Sequence, residues 1–116
     1  MSPKKGDAVP QPTVGAEWRI RFNTNEAAKG WQDLERQAPG NLRRAWQTMR
    51  ETPAGQPTGR HHQLAGPLAT ATHAGLQLPQ WQLEVTNGGR VWYLLDEGHR
   101  TVWVRYAGTG HPKQTE

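Results

Sequence analysis

The chain contains no cysteine among its 116 residues. That absence excludes disulfide bonds and every zinc site that is built on thiolate ligands. The sequence also lacks an apolar run long enough to cross a membrane or to form the hydrophobic part of a signal peptide. We therefore expect a soluble, cytoplasmic protein that has no membrane partner.

Hydrophobic residues are scarce as well, at 34% of the chain, which is low for a globular protein. A core made from so few side chains must rely on large ones, and the six tryptophans meet that need. The length fits one domain, which we assign to residues 17–116. Residues 1–16 are rich in proline, glycine and lysine and show no periodicity, so we expect a flexible tail.

Positive charge exceeds negative charge, with 14 Lys and Arg against 10 Asp and Glu and a net charge of +4. This balance favours an anionic partner such as a nucleic acid, although many basic proteins bind none.

The first half of the domain predicts one strand and two helices. Strict alternation over residues 18–22 indicates a strand whose Trp18, Ile20 and Phe22 face the core. Apolar residues at helical spacing then predict a helix over about residues 24–36 and a second one that starts near Leu42, after a break at residues 38–41. We expect these helices to form an antiparallel hairpin that lies on a sheet.

The second half predicts the sheet itself. Residues 60–64 could form a short strand, and residues 65–79 suggest a long loop. Three alternating runs follow, separated by Asn-Gly-Gly at 87–89 and Asp-Glu-Gly at 96–98, which predicts an antiparallel meander of three strands. The fold class is therefore α+β, with two layers: the helices lie on one face of a mostly antiparallel sheet.

A three-residue turn at 87–89 would pair Thr86 with Arg90 and so define the two faces of the meander. The helix-facing set then comprises Trp81, Leu83, Val85, Val91, Tyr93 and Leu95, joined from the last strand by Val102, Val104 and Tyr106. The polar face comprises Gln82, Glu84, Thr86, Arg90 and Trp92, joined by Trp103 and Arg105.

With these elements in place, the chain resembles the RelE/ParE superfamily of bacterial toxins from toxin–antitoxin pairs. The resemblance extends from about residue 18 to residue 113. It rests on the helical hairpin, the Gln-Leu-Ala-Gly at 63–66, the aromatic-led strand at 81–85, the Gly-Arg-Val-Trp-Tyr at 89–93 and the β-branched last strand at 101–106.

The resemblance implies a toxin that a cognate antitoxin protein neutralises. The RelE-like branch cleaves mRNA on the ribosome, and the ParE-like branch poisons DNA gyrase. We favour the RelE-like branch and an endoribonuclease. The alternatives are a ParE-like gyrase inhibitor and a nucleic-acid-binding module without catalysis.

Cleavage of RNA by its own 2′-hydroxyl needs a base, an acid and cations, but no metal or other cofactor. Arg90 matches the family's phosphate-binding arginine, although it could instead pair with Glu84 across the hairpin. His111 lies where the RelE-like family places C-terminal acid or base residues, and Lys113 would add charge; both could also belong to a solvated tail. Glu84 could be the base, although the family carries lysines where this chain has Gln82 and Glu84.

Further residues are candidates for RNA binding. Arginines and histidines could contact phosphates, and tryptophans could stack on bases if they are exposed; these residues are Arg60, His61, His62, Arg100, Arg105, Trp92 and Trp103. Solvated surface is the alternative for the basic residues, and we expect at least one of the two tryptophans to be buried. No metal site is expected at His61 and His62, because adjacent residues of a strand point apart.

Overall fold

The structure, a computed structural model, describes residues 2–110. It contains two helices and six strands in the order strand, helix, helix, then five strands. The helices are α1 (Asn25–Gln37) and α2 (Pro39–Glu51). The strands are β1 (Arg19–Phe22), β2 (His61–Gln63), β3 (Thr70–His73), β4 (Leu76–Glu84), β5 (Arg90–Asp96) and β6 (Thr101–Gly108).

The two helices begin where local chemistry allows it. The Thr24 hydroxyl caps α1 by accepting a hydrogen bond from the Ala27 N–H at 3.0 Å. Helix α2 begins at Pro39, earlier than predicted, since a proline in the first helical turn lacks only an N–H that would have no partner there. Ala38 alone separates the helices, which form the predicted hairpin.

The sheet has the strand order β1-β6-β5-β4-β2, and β6 lies between β1 and β5. The pairing of β1 with β6 is parallel, whereas the other pairs are antiparallel. Helix α1 packs on β6, so the helices cover one face of the sheet. The predicted two-layer α+β architecture is confirmed.

Strands β4 and β5 pair Glu84 with Arg90, two residues away from the predicted partner Thr86. Because side chains alternate with a period of two, a shift by two residues leaves every side chain on its predicted face. The helix-facing residues of the two strands all belong to the buried core, as predicted: Trp81, Leu83, Val85, Val91, Tyr93 and Leu95.

Strand β6 contains a bulge that the sequence did not reveal. Trp92 pairs with Tyr106 and Tyr93 pairs with Val104, which leaves Arg105 as an extra residue. Tyr106 therefore shares the face of Trp92, and the prediction that it belongs to the core was wrong. We call this second face, opposite the helices, the open face.

Residues 65–79 form an ordered hairpin rather than the expected loop. After a short helical turn at Gly66–Leu68, β3 pairs with the first half of β4 around a turn at Ala74 and Gly75, whose φ angles are 51° and 81°. The hairpin reaches across the open face, where the His73 Nδ1 accepts a hydrogen bond from the Asn23 side chain at 2.8 Å. It helps to bury apolar residues outside the main core, namely Leu64, Leu78, Trp92 and Leu94.

Strand β1 differs from prediction at its end. Trp18 is buried and Ile20 packs against the core, but Phe22 is 47% exposed instead of facing inward. Its ring contacts the edge of Trp31 at a centroid distance of 6.0 Å. Between residues 2 and 110, no helix is long and apolar enough to cross a membrane.

Candidate nucleic-acid interface

Two rows of polar side chains cross the open face beside the turn between β4 and β5. Backbone pairing places Glu84 opposite Arg90 in one row, and it aligns Gln82 with Trp92 and Tyr106 in the next. Strand β2 adds His62 opposite Gln82, and Arg60 lies against Glu84. We call this group the open-face cluster; it comprises Arg60, His62, Gln82, Glu84, Arg90, Trp92 and Tyr106.

Arg90 is 5% exposed and is paired with Glu84 across β4 and β5. Its Nε donates a hydrogen bond to the Gly88 carbonyl at 3.3 Å, and no carboxylate within residues 2–110 forms an ion pair with it. A buried guanidinium without a counter-charge is costly. A phosphate would supply the missing negative charge and match the planar array of N–H donors.

Glu84 contacts Arg60 instead of Arg90. The Arg60 Nη2 lies 3.4 Å from the Glu84 carboxylate and also donates to the Asn87 side-chain oxygen at 3.4 Å. The ion pair that the sequence left as an alternative role for Arg90 is thus absent from this conformation. Glu84 keeps a carboxylate one strand away from Arg90, on the same face.

Tyr106 is the residue of this cluster that the sequence did not identify. Its hydroxyl donates a hydrogen bond to the Gly110 carbonyl at 2.7 Å, and its ring contacts Trp92 at a centroid distance of 6.0 Å. Burial raises the pKa of Tyr106 above 10.0, and the positive charge of Arg90 offsets part of that effect. The phenol is therefore a proton donor at neutral pH.

The two candidate tryptophans lie in different surroundings, which bear on whether their rings could stack on an RNA base. Trp92 is 4% exposed, and its Nε1 donates to the Gln82 side-chain oxygen at 2.8 Å. Trp103 lies under His73, at a centroid distance of 4.3 Å, and Arg21 approaches its ring to 5.4 Å. The expectation that at least one tryptophan is buried is confirmed for Trp92.

His61 lies away from the cluster, on the helix side of the sheet. Its Nε2 is 2.5 Å from the Tyr93 hydroxyl and 3.1 Å from the Pro53 carbonyl oxygen. Burial lowers the pKa of His61 below 6.5, an effect that the hydrogen bond to Pro53 opposes and the neighbouring His62 reinforces. These contacts indicate a structural role.

The remaining predicted residues lie elsewhere. Arg100 stacks on Trp18 at 4.5 Å and donates to the Ala16 carbonyl, at the end of β6 remote from the cluster. Arg105 is exposed at the bulge. His111 and Lys113 lie outside the described residues, just beyond Gly110.

Residues 2–110 contain no group of three or more His, Asp or Glu side chains placed to hold a metal ion.

No protein-family model and no curated protein sequence matches the chain. The solved structures that match its fold include two structures of a toxin from Helicobacter pylori. A copper-bound mutant of that toxin gives a TM-score of 0.56 at 14% identity, over 78% of this chain and 92% of the toxin. A metal-bound form gives a TM-score of 0.54, with the same identity and coverage. The chain shares its fold with this bacterial toxin.

Proposed function

We propose that the chain is a toxin that inhibits translation by cleaving mRNA on the ribosome, and that a cognate antitoxin protein neutralises it. The observation that carries the proposal is the buried Arg90 guanidinium, which has no carboxylate partner in the described structure and lies beside the Tyr106 phenol. The shared fold with a bacterial toxin supports the toxic role.

In the proposed reaction, the 2′-oxygen of the RNA attacks the adjacent phosphorus and the bond from phosphorus to the 5′-oxygen breaks. A 2′,3′-cyclic phosphate and a free 5′-hydroxyl result. Glu84 is the candidate base for the 2′-hydroxyl proton, and Arg90 stabilises the charge that develops on the phosphorane oxygens. Tyr106 is the candidate acid that protonates the 5′-oxygen as it leaves.

The sequence also nominates His111 as a proton-transfer group and Lys113 as an added cation, and both remain part of the proposal. The Tyr106 hydroxyl contacts Gly110, the residue before His111. Comparing Tyr106→Phe with His111→Ala at several pH values would show which group supplies the proton. The proton donor is the residue whose replacement flattens the dependence of the cleavage rate on pH.

The first test is to induce the chain in a bacterial host and to pulse-label protein and DNA synthesis in parallel. We expect translation to stop within minutes, and we expect Arg90→Ala to lower the cleavage rate by about 100-fold or more, as for the loss of one oxyanion-binding donor. Arg36→Ala, at an exposed arginine of α1, is the matched control. Full toxicity of a folded Arg90→Ala protein would refute the proposal.

One observation favours the gyrase-inhibiting alternative. Gln82 and Glu84 stand where the RelE-like family carries lysines, Gln82 is engaged by the Trp92 indole, and Glu84 is engaged by Arg60. If the chain poisons gyrase, DNA synthesis stops before translation and Arg90→Ala stays toxic. If neither protein synthesis nor DNA synthesis decreases, the chain is a nucleic-acid-binding module without catalysis.

A further inference from the structure

Strand β1 leaves one edge of the sheet free. Within residues 2–110 it pairs only with β6. The N–H groups of Arg19 and Asn23 point toward that strand and bond to the carbonyls of Arg100 and Val104 at 3.0 and 2.7 Å. Because backbone groups alternate along a strand, the N–H and C=O groups of Ile20 and Phe22 point away from β6. Such an edge is a template for another strand.

The free edge opens into an apolar cleft on the helix side. A cavity of about 220 Å³ is lined by Ile20, Phe22, Trp31 and Trp46, together with Arg21. It continues between the helices into a second cavity of about 430 Å³, which shares both tryptophans. Phe22, at the end of β1, leaves 47% of its surface exposed beside this cleft.

Positive charge lies on both sides of the free edge. Arg19 and Arg21 are exposed on β1, and Arg43 lies over the Trp46 ring at 5.7 Å. None of these three arginines forms an ion pair with a carboxylate in the described part of the chain. Carboxylates near the cleft include Glu35 on its wall, Glu26 in the cavity beside Phe22, and Glu17, which pairs with Arg50 at 3.3 Å.

The N-terminal segment forms the far wall of the space beside β1. A cavity of about 630 Å³ lies between residues 10–13 and the side chains of Arg19, Ile20 and Arg21. Arg50 holds the segment in place, since its guanidinium donates to the carbonyls of Gln11 and Pro12. The free edge is thus flanked by a channel rather than by a flat surface.

We propose that this channel binds an extended acidic segment of a partner protein, which adds to β1 as an antiparallel strand. Residues opposite Ile20 and Phe22 are apolar and enter the cleft, and the residues between them carry carboxylates that face Arg19 and Arg21 on the other side. An RNA strand would satisfy the arginines but not the unpaired backbone groups of β1. The proposal does not depend on ribonuclease activity, because all its readouts are binding measurements.

The probe is a fluorescein-labelled, end-capped ten-residue peptide in which valine and glutamate alternate, titrated into the full chain and followed by fluorescence anisotropy. In the proposed pairing, the valine amides point toward β1 and the glutamate amides point away. N-methylation of the valine amides should abolish binding, whereas N-methylation of the glutamate amides should leave it largely intact. Equal effects of the two modifications would overturn the proposed strand addition.

Two pairs of variants test the protein side. Phe22→Ser should weaken binding by about tenfold, while Leu76→Ser, at an equally exposed apolar residue (49%) on the β3–β4 hairpin, should not change it. Arg21→Glu should weaken binding of the acidic peptide and allow binding of a valine–lysine peptide, while Lys29→Glu should do neither. Unchanged affinity in Phe22→Ser or Arg21→Glu would overturn the proposal.

Three other outcomes would assign the channel to a different occupant and overturn the proposal. The first is displacement of the peptide by a short oligoribonucleotide in wild type but not in Arg21→Glu. The second is a Phe22-dependent dimer in sedimentation without peptide binding. The third is peptide binding that appears only after deletion of residues 2–13, which would show that the N-terminal segment fills the edge itself.

Discussion

The adjacent histidines His61 and His62 lie in different environments, because successive residues of a strand point to opposite faces of the sheet. As predicted, they point apart: His61 bonds to the core residue Tyr93, while the His62 Nδ1 bonds to the Thr58 carbonyl at 3.0 Å. The sequence could place the pair on a strand, but it could not decide which member faces the helices, because both are polar. Only the register with β4 decides it.

The burial of His61 predicts a dependence of stability on pH. Its pKa in the folded chain lies below the ordinary 6.5, so under acid conditions the unfolded chain binds the extra proton. The stabilising effect is therefore present above about pH 6.5 and is lost as the pH falls through the folded-state pKa. The free energy of unfolding, measured in urea at pH 8 and at pH 5, should fall less between these pH values in His61→Gln than in wild type.

His62→Gln is the comparison variant. It removes only the His62 charge, which lowers the pKa of His61 less than burial does, so its acid-induced loss of unfolding free energy should be closer to that of the wild type than to that of His61→Gln. If His61→Gln and wild type lose the same free energy of unfolding between the two pH values, His61 is not buried as the structure shows.

At the scale of elements, α1 lies unusually close to β6 at Gly30. A Cβ atom built on Gly30 would lie 1.6 Å from the Ala107 carbonyl oxygen, a distance that no packing tolerates. Glycine normally weakens a helix by roughly 1 kcal/mol relative to alanine, so its presence here reflects the close approach of the sheet. Gly30 therefore sets the spacing between the two layers.

Replacing Gly30 with alanine tests this close approach. Gly30→Ala should destabilise the fold by about 1–3 kcal/mol through overpacking, despite its better helix propensity. Gly40→Ala in α2 is the matched control, because a Cβ there would meet only the Arg44 side chain at 3.9 Å. Chemical denaturation of both variants gives the comparison, and a neutral Gly30→Ala would contradict the observed packing.

The elements that the sequence predicted are those with strong periodicity. The apolar stripes of α1 and α2 and the alternation in β4, β5 and β6 fixed their type and their buried faces. The β3–β4 hairpin could not be predicted from the sequence, for three reasons. Thr-Ala-Thr-His at 70–73 has no apolar alternation, and Pro79, a residue that usually disfavours a strand, lies within β4. One of the two turn residues is Ala74, which adopts a positive φ that its residue type does not suggest. The bulge at Arg105 could not be predicted either, because it depends on how β6 pairs with β5.

At the scale of the whole molecule, the arginines are divided among separate regions. Arg60 and Arg90 lie at the β4–β5 turn, Arg19 and Arg21 lie on the free edge, and Arg100 lies at the opposite end of β6. The net charge of +4 therefore understates the local positive charge at each surface. For the same reason, composition suggested an anionic partner but could not separate the candidate RNA site from the proposed peptide channel.

This division predicts how RNA binding should respond to salt. If RNA binds at the open-face cluster, Arg60→Ala should reduce the slope of log Kd against log salt by about one, the contribution of one phosphate contact. Arg100→Ala should leave the slope unchanged, because its guanidinium is held by the Ala16 carbonyl and Trp18. Filter binding of a catalytically inactive Arg90→Ala protein, from 50 to 300 mM salt (on the order of normal assay conditions), provides the measurement.

The place of β6 between β1 and β5 has a consequence for biosynthesis. Among the strands of residues 2–110, β6 is synthesised last, so it cannot join β1 to β5 while residues 101–108 are still inside the ribosome. The pairing of β5 with β6, which brings Tyr106 to the side of the sheet that carries Arg90, forms only after residues 101–108 have left the ribosome. Until residues 101–108 emerge, the sheet stays incomplete and the candidate site unassembled, so the proposed partner of β1 could bind before the fold is complete.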